Sequence, residues 1–312
     1  MNTPAASLRA LLAGSIDYAG LFPPASLALE PSVANYAGYV RSVDEWMLGA
    51  FILPTGKFAE VATSLAQFDV EHRFRISALG AKTDTPEQFI SAIETTAQSI
   101  REFEVQFGAI ASVSQIEMPL ATQPGASIAD AYDALAGLNR PVFFEAPADE
   151  AERTIAGLAE HRRAGTPARL GFKLRTGGVV ASAFPSSMQI ARALVAAITH
   201  GVPIKFTAGL HHPIRLLHSS VQTKMHGFLN VLGAGVLAAE HKWDAVQTAG
   251  MLDDESAESF VFNDNRFSWR EWTIATDRIA PQRELITSLG SCSFDEPRED
   301  LIALNLLPSA AG

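Results

Sequence analysis

The chain has 312 residues, of which 47% are hydrophobic and 19% charged, so it is large and apolar enough to bury the core of a globular protein. Its formal net charge of -10 disfavours nonspecific binding to nucleic acid or to an anionic membrane surface, because both require a basic surface. The single cysteine, Cys292, excludes an intrachain disulfide.

The N-terminal stretch MNTPAASLRALLAGSIDYAG lacks the charged and then long apolar layout of a signal peptide. No apolar run in the sequence is long enough to span a bilayer. We therefore expect a cytoplasmic protein that binds a small molecule, with no nucleic acid and no membrane among its partners. Whether it forms a homo-oligomer is left open by the sequence.

Eight short runs predict β-strands, and most of them are separated by segments with helical periodicity. In chain order they are SIDYAGL (15–21), MLGAFILP (47–54), FRISALG (74–80), SQIEMP (114–119), PVFFEAP (141–147), LGFKLRTGG (170–178), PIKFTAGL (203–210) and ITSLGSCS (286–293). Alternating strands and helices are typical of a parallel sheet. Eight strands fit a closed (β/α)8 TIM barrel of the α/β class.

The connections between the predicted strands differ in length. PSSMQIARALVAAITHG (185–201) is the clearest helix, because serines open it, aliphatic residues recur at steps of three and four, and Gly201 closes it. The segment 216–284 is much longer than the other connections, and we expect an elaborated insertion with helices of its own. No linker or repeat marks a boundary, so residues 1–312 are predicted to form one barrel domain.

Ionisable residues lie toward the C-terminal ends of five predicted strands, and they are Asp17, Glu117, Glu145, Lys173 and Lys205. Because residues two apart in a strand share a face, Lys173 lies on the same face as Arg175, and Lys205 on the same face as Thr207 and Gly209. Barrel active sites are built at these strand ends. A structural role is the alternative, and it would require the buried charges to neutralise one another.

Lys173 and Lys205 lie on adjacent predicted strands, and this pairing favours a catalytic role. Two ammonium groups repel each other, and a neighbouring positive charge lowers the pKa of a lysine. A neutral amine attacks carbonyl carbons, so the pair indicates Schiff-base catalysis, with one lysine as the nucleophile and the other as the neighbouring cation.

Several motifs, in this order, resemble the deoxyribose-phosphate aldolases, which are class I aldolases on a (β/α)8 barrel. The motifs are IDYAGLFPPASLALE, GAFILPTGKFAEVATSL, SQIEMPLA, VFFEAP, GFKLRTGGVVASAFPSSMQIARALVAAITHGVPIKFTAGLHHPIR and SLGSCSFDEP. Three features depart from the family: Glu117 stands where the family has aspartate, Leu210 to His212 stand where it has a paired glycine, and 216–284 has no counterpart. We therefore expect a relative that acts on a different carbonyl substrate.

The resemblance implies a role for each matching residue. Lys173 would form the imine, Lys205 with Asp17 would tune that amine and relay protons, and Glu117 would be the general acid and base. An oxyanion-binding end of the pocket would be shaped by Thr176, Gly177, Gly178, Gly290, Ser291 and Ser293. The further predicted substrate-binding residues are Glu145, Arg175, Thr207, Gly209, His211 and His212.

These residues predict a class I aldolase-type lyase that acts on a small carbonyl compound, and whether that compound is phosphorylated or carboxylated stays open. One alternative is a metal-assisted lyase or isomerase that uses Glu117, Glu145 and either His211 or His212, with His226 as a further candidate ligand. Another is a barrel that binds a small molecule without catalysis. No close-spaced ligand motif is present, so we predict neither a metal nor a cofactor.

Overall fold

The fold is described from a computed structural model that covers residues 3–125, 128, 134, 135, 137–163 and 169–309. The first two residues of the N-terminal stretch and the last three of the predicted domain 1–312 lie outside this part of the chain. Within it, none of the helices combines the length and the hydropathy that crossing a bilayer requires.

The eight predicted strands are present and close into a parallel barrel. They are β1 (Ile16–Tyr18), β2 (Leu48–Pro54), β3 (Phe74–Leu79), β4 (Ala111–Pro119), β5 (Val142–Ala146), β6 (Leu170–Arg175), β7 (Ile204–Thr207) and β13 (Ile286–Ser291), and the intervening numbers belong to the insertion described below. Their order around the barrel is β1, β13, β7, β6, β5, β4, β3, β2, and every neighbouring pair is parallel. The prediction of a (β/α)8 barrel is therefore confirmed.

A helix precedes the first strand, and helices also occupy the connections β1–β2, β2–β3, β3–β4, β5–β6 and β6–β7. They are α1 (Ala6–Leu12), α2 (Leu29–Tyr39), α3 (Phe58–Val61), α4 (Pro86–Phe107), α5 (Ala151–Arg163) and α6 (Ser187–His200). The predicted helix 185–201 corresponds to α6. The side chain of Ser186 accepts a hydrogen bond from the backbone N–H of Gln189, and Gly201 ends the helix with a φ of 65°. Both ends follow the capping pattern read from the sequence.

The predicted insertion contains helices, as expected, and also two small sheets that the sequence did not predict. The hairpin of β8 (Leu216–His218) and β9 (Thr223–Met225) leads into α7 (Phe228–His241) and α8 (Ala245–Leu252). An antiparallel sheet follows, formed by β10 (Phe260–Phe262), β11 (Arg266–Trp269) and β12 (Trp272–Ala275). α9 (Thr276–Arg283) then leads into β13, and α10 (Asp295–Ala303) follows that strand.

The barrel separates apolar from polar side chains according to the strand alternation. In β6 and β7, the buried aromatic residues Phe172 and Phe206 alternate with Lys173 and Lys205. Alternate residues of a barrel strand point outward to the helices and inward to the interior. The lysines therefore point inward, and the aromatic residues pack in the layer between strands and helices. This alternation places the charges at the centre of the barrel.

The insertion packs closely on the barrel through α7. A Cβ atom added at Gly235 of α7 would lie 2.8 Å from Cγ2 of the buried Ile286 in β13, whereas one added at Gly250 of α8 would meet no atom within 4 Å. A close approach of helix and strand is therefore possible at Gly235 only because it has no side chain.

We predict that Gly235→Ala and Gly250→Ala change stability differently. Both gain about 1 kcal/mol of helix propensity, but Gly235→Ala also overpacks the contact with Ile286, at a cost of about 1–3 kcal/mol. Urea denaturation should therefore give Gly235→Ala a free energy of unfolding lower than that of Gly250→Ala by about that cost. Equal values for the two variants would contradict the packing of α7 on β13.

Candidate active site

The centre of the barrel holds five charged side chains, hereafter the charge cluster, which are Asp17, Glu117, Glu145, Lys173 and Lys205. They come from β1, β4, β5, β6 and β7 in that order. In the register of the sheet Lys173 lies beside Glu145 on one side and beside Lys205 on the other. Barrel closure then brings Asp17 and Glu117 within reach of the lysines from strands farther along the sheet.

Glu117 joins the two lysines. Its Oε1 lies 2.5 Å from Nζ of Lys205 and its Oε2 lies 2.6 Å from Nζ of Lys173. The hydroxyl of Ser77 donates a hydrogen bond of 2.6 Å to the same Oε1. Burial alone would raise the pKa of Glu117, but the charges of the two lysines hold it well below its usual range. Glu117 is therefore a carboxylate shared by both amines.

Lys205 is the more deeply buried of the two lysines. Its side chain is completely buried, and Nζ donates to Oδ2 of Asp17 at 2.8 Å as well as to Glu117. Asp17 in turn accepts hydrogen bonds from the side chains of Gln115 and Ser288 and from the backbone N–H of Ala50. Burial alone would lower the pKa of Lys205, but Asp17 and Glu117 raise it. Lys205 is thus a fixed ammonium ion.

Lys173 faces a cavity. Its Nζ lies 2.6 Å from Glu117 and 2.7 Å from Oε2 of Glu145, and the residue is 4% exposed. A cavity of about 320 Å³ opens above it at the C-terminal ends of the strands, where Lys173 and Glu145 form part of the wall. Neither Lys205 nor Glu117 contributes to this wall. Of the two lysines, Lys173 is therefore the one that a molecule in the cavity can reach.

The charge cluster contains what each sequence hypothesis requires. The structural hypothesis needs buried charges to be paired, and each lysine contacts two carboxylates. The catalytic hypothesis needs an amine at a cavity, and Lys173 meets that condition. The negative charge of Glu117 lies between the amines and offsets their repulsion, which the sequence argument did not include.

Seven residues predicted to bind substrate line the cavity, namely Glu145, Arg175, Gly178, Thr207, Gly209, His211 and Gly290. The chain turns sharply after β7, where Ala208 and Gly209 have φ values of 62° and 76°. The hydroxyl of Thr176 donates to the carbonyl of Ala208 at 2.6 Å and holds this turn. The turn directs His211 toward the cavity.

Five residues predicted to bind substrate contact the protein itself, and they are Thr176, Gly177, His212, Ser291 and Ser293. Gly177 packs against Gly209, because a Cβ atom added at Gly177 would lie 2.8 Å from the Cα atom of Gly209. The hydroxyl of Ser291 accepts from the backbone N–H of Ser293 at 3.4 Å, and that of Ser293 accepts from the N–H of Glu296. None of the five is part of the cavity wall. Of the six residues predicted to bind an oxyanion, only Gly178 and Gly290 line the cavity.

The two adjacent histidines point in different directions, as expected for an extended segment. His212 Nδ1 lies 2.7 Å from Asp300 in α10, and its ring stacks on that of His218. His211 Nδ1 lies 3.2 Å from Oε2 of Glu296 and 3.7 Å from Sγ of Cys292. Burial alone would lower the pKa of His211, but its contacts with Cys292 and Glu296 raise it to about 9. His211 is therefore a cation in the cavity wall at neutral pH.

The sequence analysis missed several residues of the cavity wall. Phe22, Pro23 and Pro24 line it from the loop after β1, Lys82 from the loop after β3 and Val179 from the loop after β6. Each follows the C-terminal end of a barrel strand, which is the signal that could have identified them.

Within the described residues, no three His, Cys, Asp or Glu side chains form a group that could hold a metal ion. His226, the further histidine considered for such a site beside His211 and His212, does not line the cavity. Its Nε2 lies 2.8 Å from the carbonyl oxygen of Pro185, and Nδ1 lies 3.0 Å from the guanidinium of Arg215. Burial lowers the pKa of His226, so its ring is neutral and bridges these two groups.

Comparison with known proteins adds little. No protein-family model matches the chain, and no curated protein matches it. Among solved structures, the crystal structure of a candidate deoxyribose-phosphate aldolase from Toxoplasma gondii ME49 is similar over 98% of this chain and 97% of that one, with 12% sequence identity and a TM-score of 0.43. A likeness at this level carries no argument about activity, and the barrel assignment rests on the strand pairing of the chain itself.

We predict that Glu117→Gln destabilises the protein by about 3–5 kcal/mol, because it leaves two buried lysines without a shared counter-ion. The matched control is Glu60→Gln, which removes a carboxylate from the exposed pair with Lys57 and should change stability by less than about 1 kcal/mol. Urea denaturation at neutral pH measures both. Equal effects of the two substitutions would show that Glu117 does not hold the lysines.

The same comparison has a pH dependence. Folding lowers the pKa of Glu117, so the stabilisation is present above its ordinary value of 4.5 and is lost as the pH falls through the lowered value. The difference between wild type and Glu117→Gln should therefore shrink below pH 4.5. A difference that stays constant into strong acid would contradict this assignment.

We predict that His211 titrates near pH 9 and that Glu296→Gln moves its midpoint toward the ordinary value of 6.5. Because folding raises this pKa, the stabilisation is complete below pH 6.5 and is lost as the pH rises through 9. NMR titration of the imidazole signals checks the midpoint. The control is Glu299→Gln, an exposed acid on the same helix, which should leave the midpoint unchanged. An unshifted midpoint in Glu296→Gln would contradict the contact.

Proposed function

We propose that the protein is a class I aldolase-type lyase in which Lys173 forms a Schiff base with a small carbonyl compound. The observation that carries the proposal is the position of Lys173: it is the amine of the charge cluster that lines the cavity. A buried lysine costs several kcal/mol unless it is paired. Opening such a residue to a cavity provides a nucleophile at a site built for a ligand.

Imine formation requires the Lys173 amine to lose a proton before it attacks the carbonyl carbon. Glu145 lies 2.7 Å from Nζ, within the range for proton transfer. The nitrogen then bonds to the carbonyl carbon, and the carbonyl oxygen leaves as water after it takes one proton back from Glu145 and one from the nitrogen. The resulting iminium group withdraws electrons from the neighbouring carbon, so that a carbon–carbon bond there can break or form.

In this proposal Lys205 has a supporting role. Its raised pKa keeps it charged, and it forms ion pairs with Asp17 and Glu117. The positive charge of Lys205 also offsets part of the negative charge of Glu117, which lies beside Lys173. Lys205 is buried away from the cavity, so it does not contact the substrate in the resting geometry.

The cavity supports a small substrate. Its volume of about 320 Å³ is at the low end of the range for ligand pockets. Ile52, Leu79 and Pro119 provide an apolar wall, while Arg175 and His211 provide positively charged groups. A short carbon chain with polar or anionic substituents fits such a surface.

We predict that borohydride reduction in the presence of short aldehydes and ketones leaves one covalent adduct on Lys173. Lys173→Arg keeps the positive charge but cannot form an imine, so the adduct should be lost. Intact-mass measurement and peptide mapping locate the adduct, and Lys57→Arg, an exposed residue outside the cavity wall, is the control that should retain it. Adducts spread over exposed lysines, or no adduct with any compound of a broad panel, would contradict the proposal.

A further inference from the structure

A Schiff-base lyase needs a group that takes and returns a proton at the substrate carbon next to the imine. Two carboxylates of the charge cluster contact the nucleophile, Glu117 and Glu145. The sequence resemblance implies Glu117 for this task. The two residues differ in their burial and contacts, and these differences distinguish their roles.

Glu117 is not part of the cavity wall, so a substrate in the cavity does not reach it. Its side chain is completely buried, Oε1 is occupied by Lys205 and Ser77, and Oε2 faces Lys173. Protonating it would remove the negative charge that the two lysines share. The lowered pKa of Glu117 is consistent with a residue that stays ionised throughout.

Glu145 is placed differently. Its side chain is 15% exposed and forms part of the cavity wall. Oε2 lies 2.7 Å from Nζ of Lys173, while Oε1 lies 3.8 Å from the guanidinium of Arg175, which is beyond hydrogen-bond distance. Arg175 is itself half exposed at the rim. Glu145 therefore offers the cavity a carboxylate oxygen that is not saturated by buried donors.

The position of Glu145 relative to the nucleophile fits the reaction. Glu145 and Lys173 are direct neighbours in the register of β5 and β6. When Nζ forms the iminium group, it keeps one of its three hydrogens and is no longer an ammonium ion, and the substrate carbon next to the imine lies two bonds from that nitrogen. Oε2 of Glu145 is then left beside this carbon with no ammonium partner.

On the premise of the proposed function, we infer that Glu145 is the catalytic base and acid for the substrate carbon next to the Lys173 imine, and that Glu117 positions the two lysines. Glu145 removes the proton from that carbon and becomes a carboxylic acid. The electron pair of the C–H bond forms the C=C bond of an enamine, and the π pair of the C=N bond becomes the lone pair on Nζ. Return of the proton from Glu145 reverses each change, so atoms and charge balance.

Hydrogen–deuterium exchange tests this inference without knowledge of the natural substrate. Acetone and propanal in deuterium oxide exchange the hydrogens next to their carbonyl carbons when an imine is converted to an enamine, and NMR measures the rate. Dividing the rate by the yield of borohydride-trapped adduct on Lys173 gives the exchange per imine. We expect Glu145→Gln to lower this ratio at least about 100-fold, which is a typical contribution of general acid–base catalysis. The control is Glu60→Gln, which changes an exposed carboxylate outside the cavity wall and should leave the ratio within about threefold, which is small against that contribution.

The outcomes separate this inference from the function on which it rests. If the wild-type protein forms no adduct on Lys173, the proposed function fails. If the adduct forms and Glu145→Gln exchanges at the wild-type ratio, the inference about Glu145 is overturned and the lyase remains. Should Glu145→Gln form no imine, Glu145→Asp decides: a ratio at least tenfold below wild type supports the role, and the wild-type ratio overturns it.

Discussion

One buried carboxylate holds the centre of this protein together. Glu117 lies between Lys173 and Lys205, each within 2.6 Å of one of its oxygens. Without it, two ammonium groups on adjacent strands would face each other in an interior that excludes water. The polar side chains that surround the cluster add hydrogen bonds, since Ser77 donates to Oε1 of Glu117 and Gln115 donates to Oδ2 of Asp17.

This arrangement makes two chemically identical side chains unequal. Lys173 and Lys205 are direct neighbours in the sheet, yet Lys205 is completely buried and Lys173 lines the cavity. Lys205 contacts the two most enclosed carboxylates, whereas Lys173 shares Glu145, which reaches the cavity. The same asymmetry distinguishes a fixed counter-charge from a nucleophile in the proposed function. It also distinguishes Glu117 from Glu145 in the inferred proton transfer.

Much of the fold could be predicted because barrel strands carry a local signal. Each of the eight strands was identified from a short β-like run, and the alternation in GFKLR and IKFT predicted that the two lysines share the interior. The small sheets of the insertion were missed because strands of three or four residues are too short to show a period. The prediction of a single domain over residues 1–312 stays a prediction.

The site was harder to predict than the fold because its contacts join distant strands. Barrel closure sets Asp17 against Lys205 across 188 positions of sequence, which no local pattern encodes. The wall residues Phe22, Pro23, Pro24 and Lys82 lie in loops, whose direction depends on packing rather than on periodicity. Adjacent side chains also point in different directions, since His211 faces the cavity while His212 contacts Asp300 in α10.

The most direct test of this account is a crystal structure of the protein after reaction with a short aldehyde and reduction by borohydride. The account predicts continuous electron density from Nζ of Lys173 into the cavity, beside the carboxylate of Glu145, with Lys205 unmodified and still in contact with Glu117. Density attached to Lys205, or a cavity that stays empty while exposed lysines are modified, would contradict it.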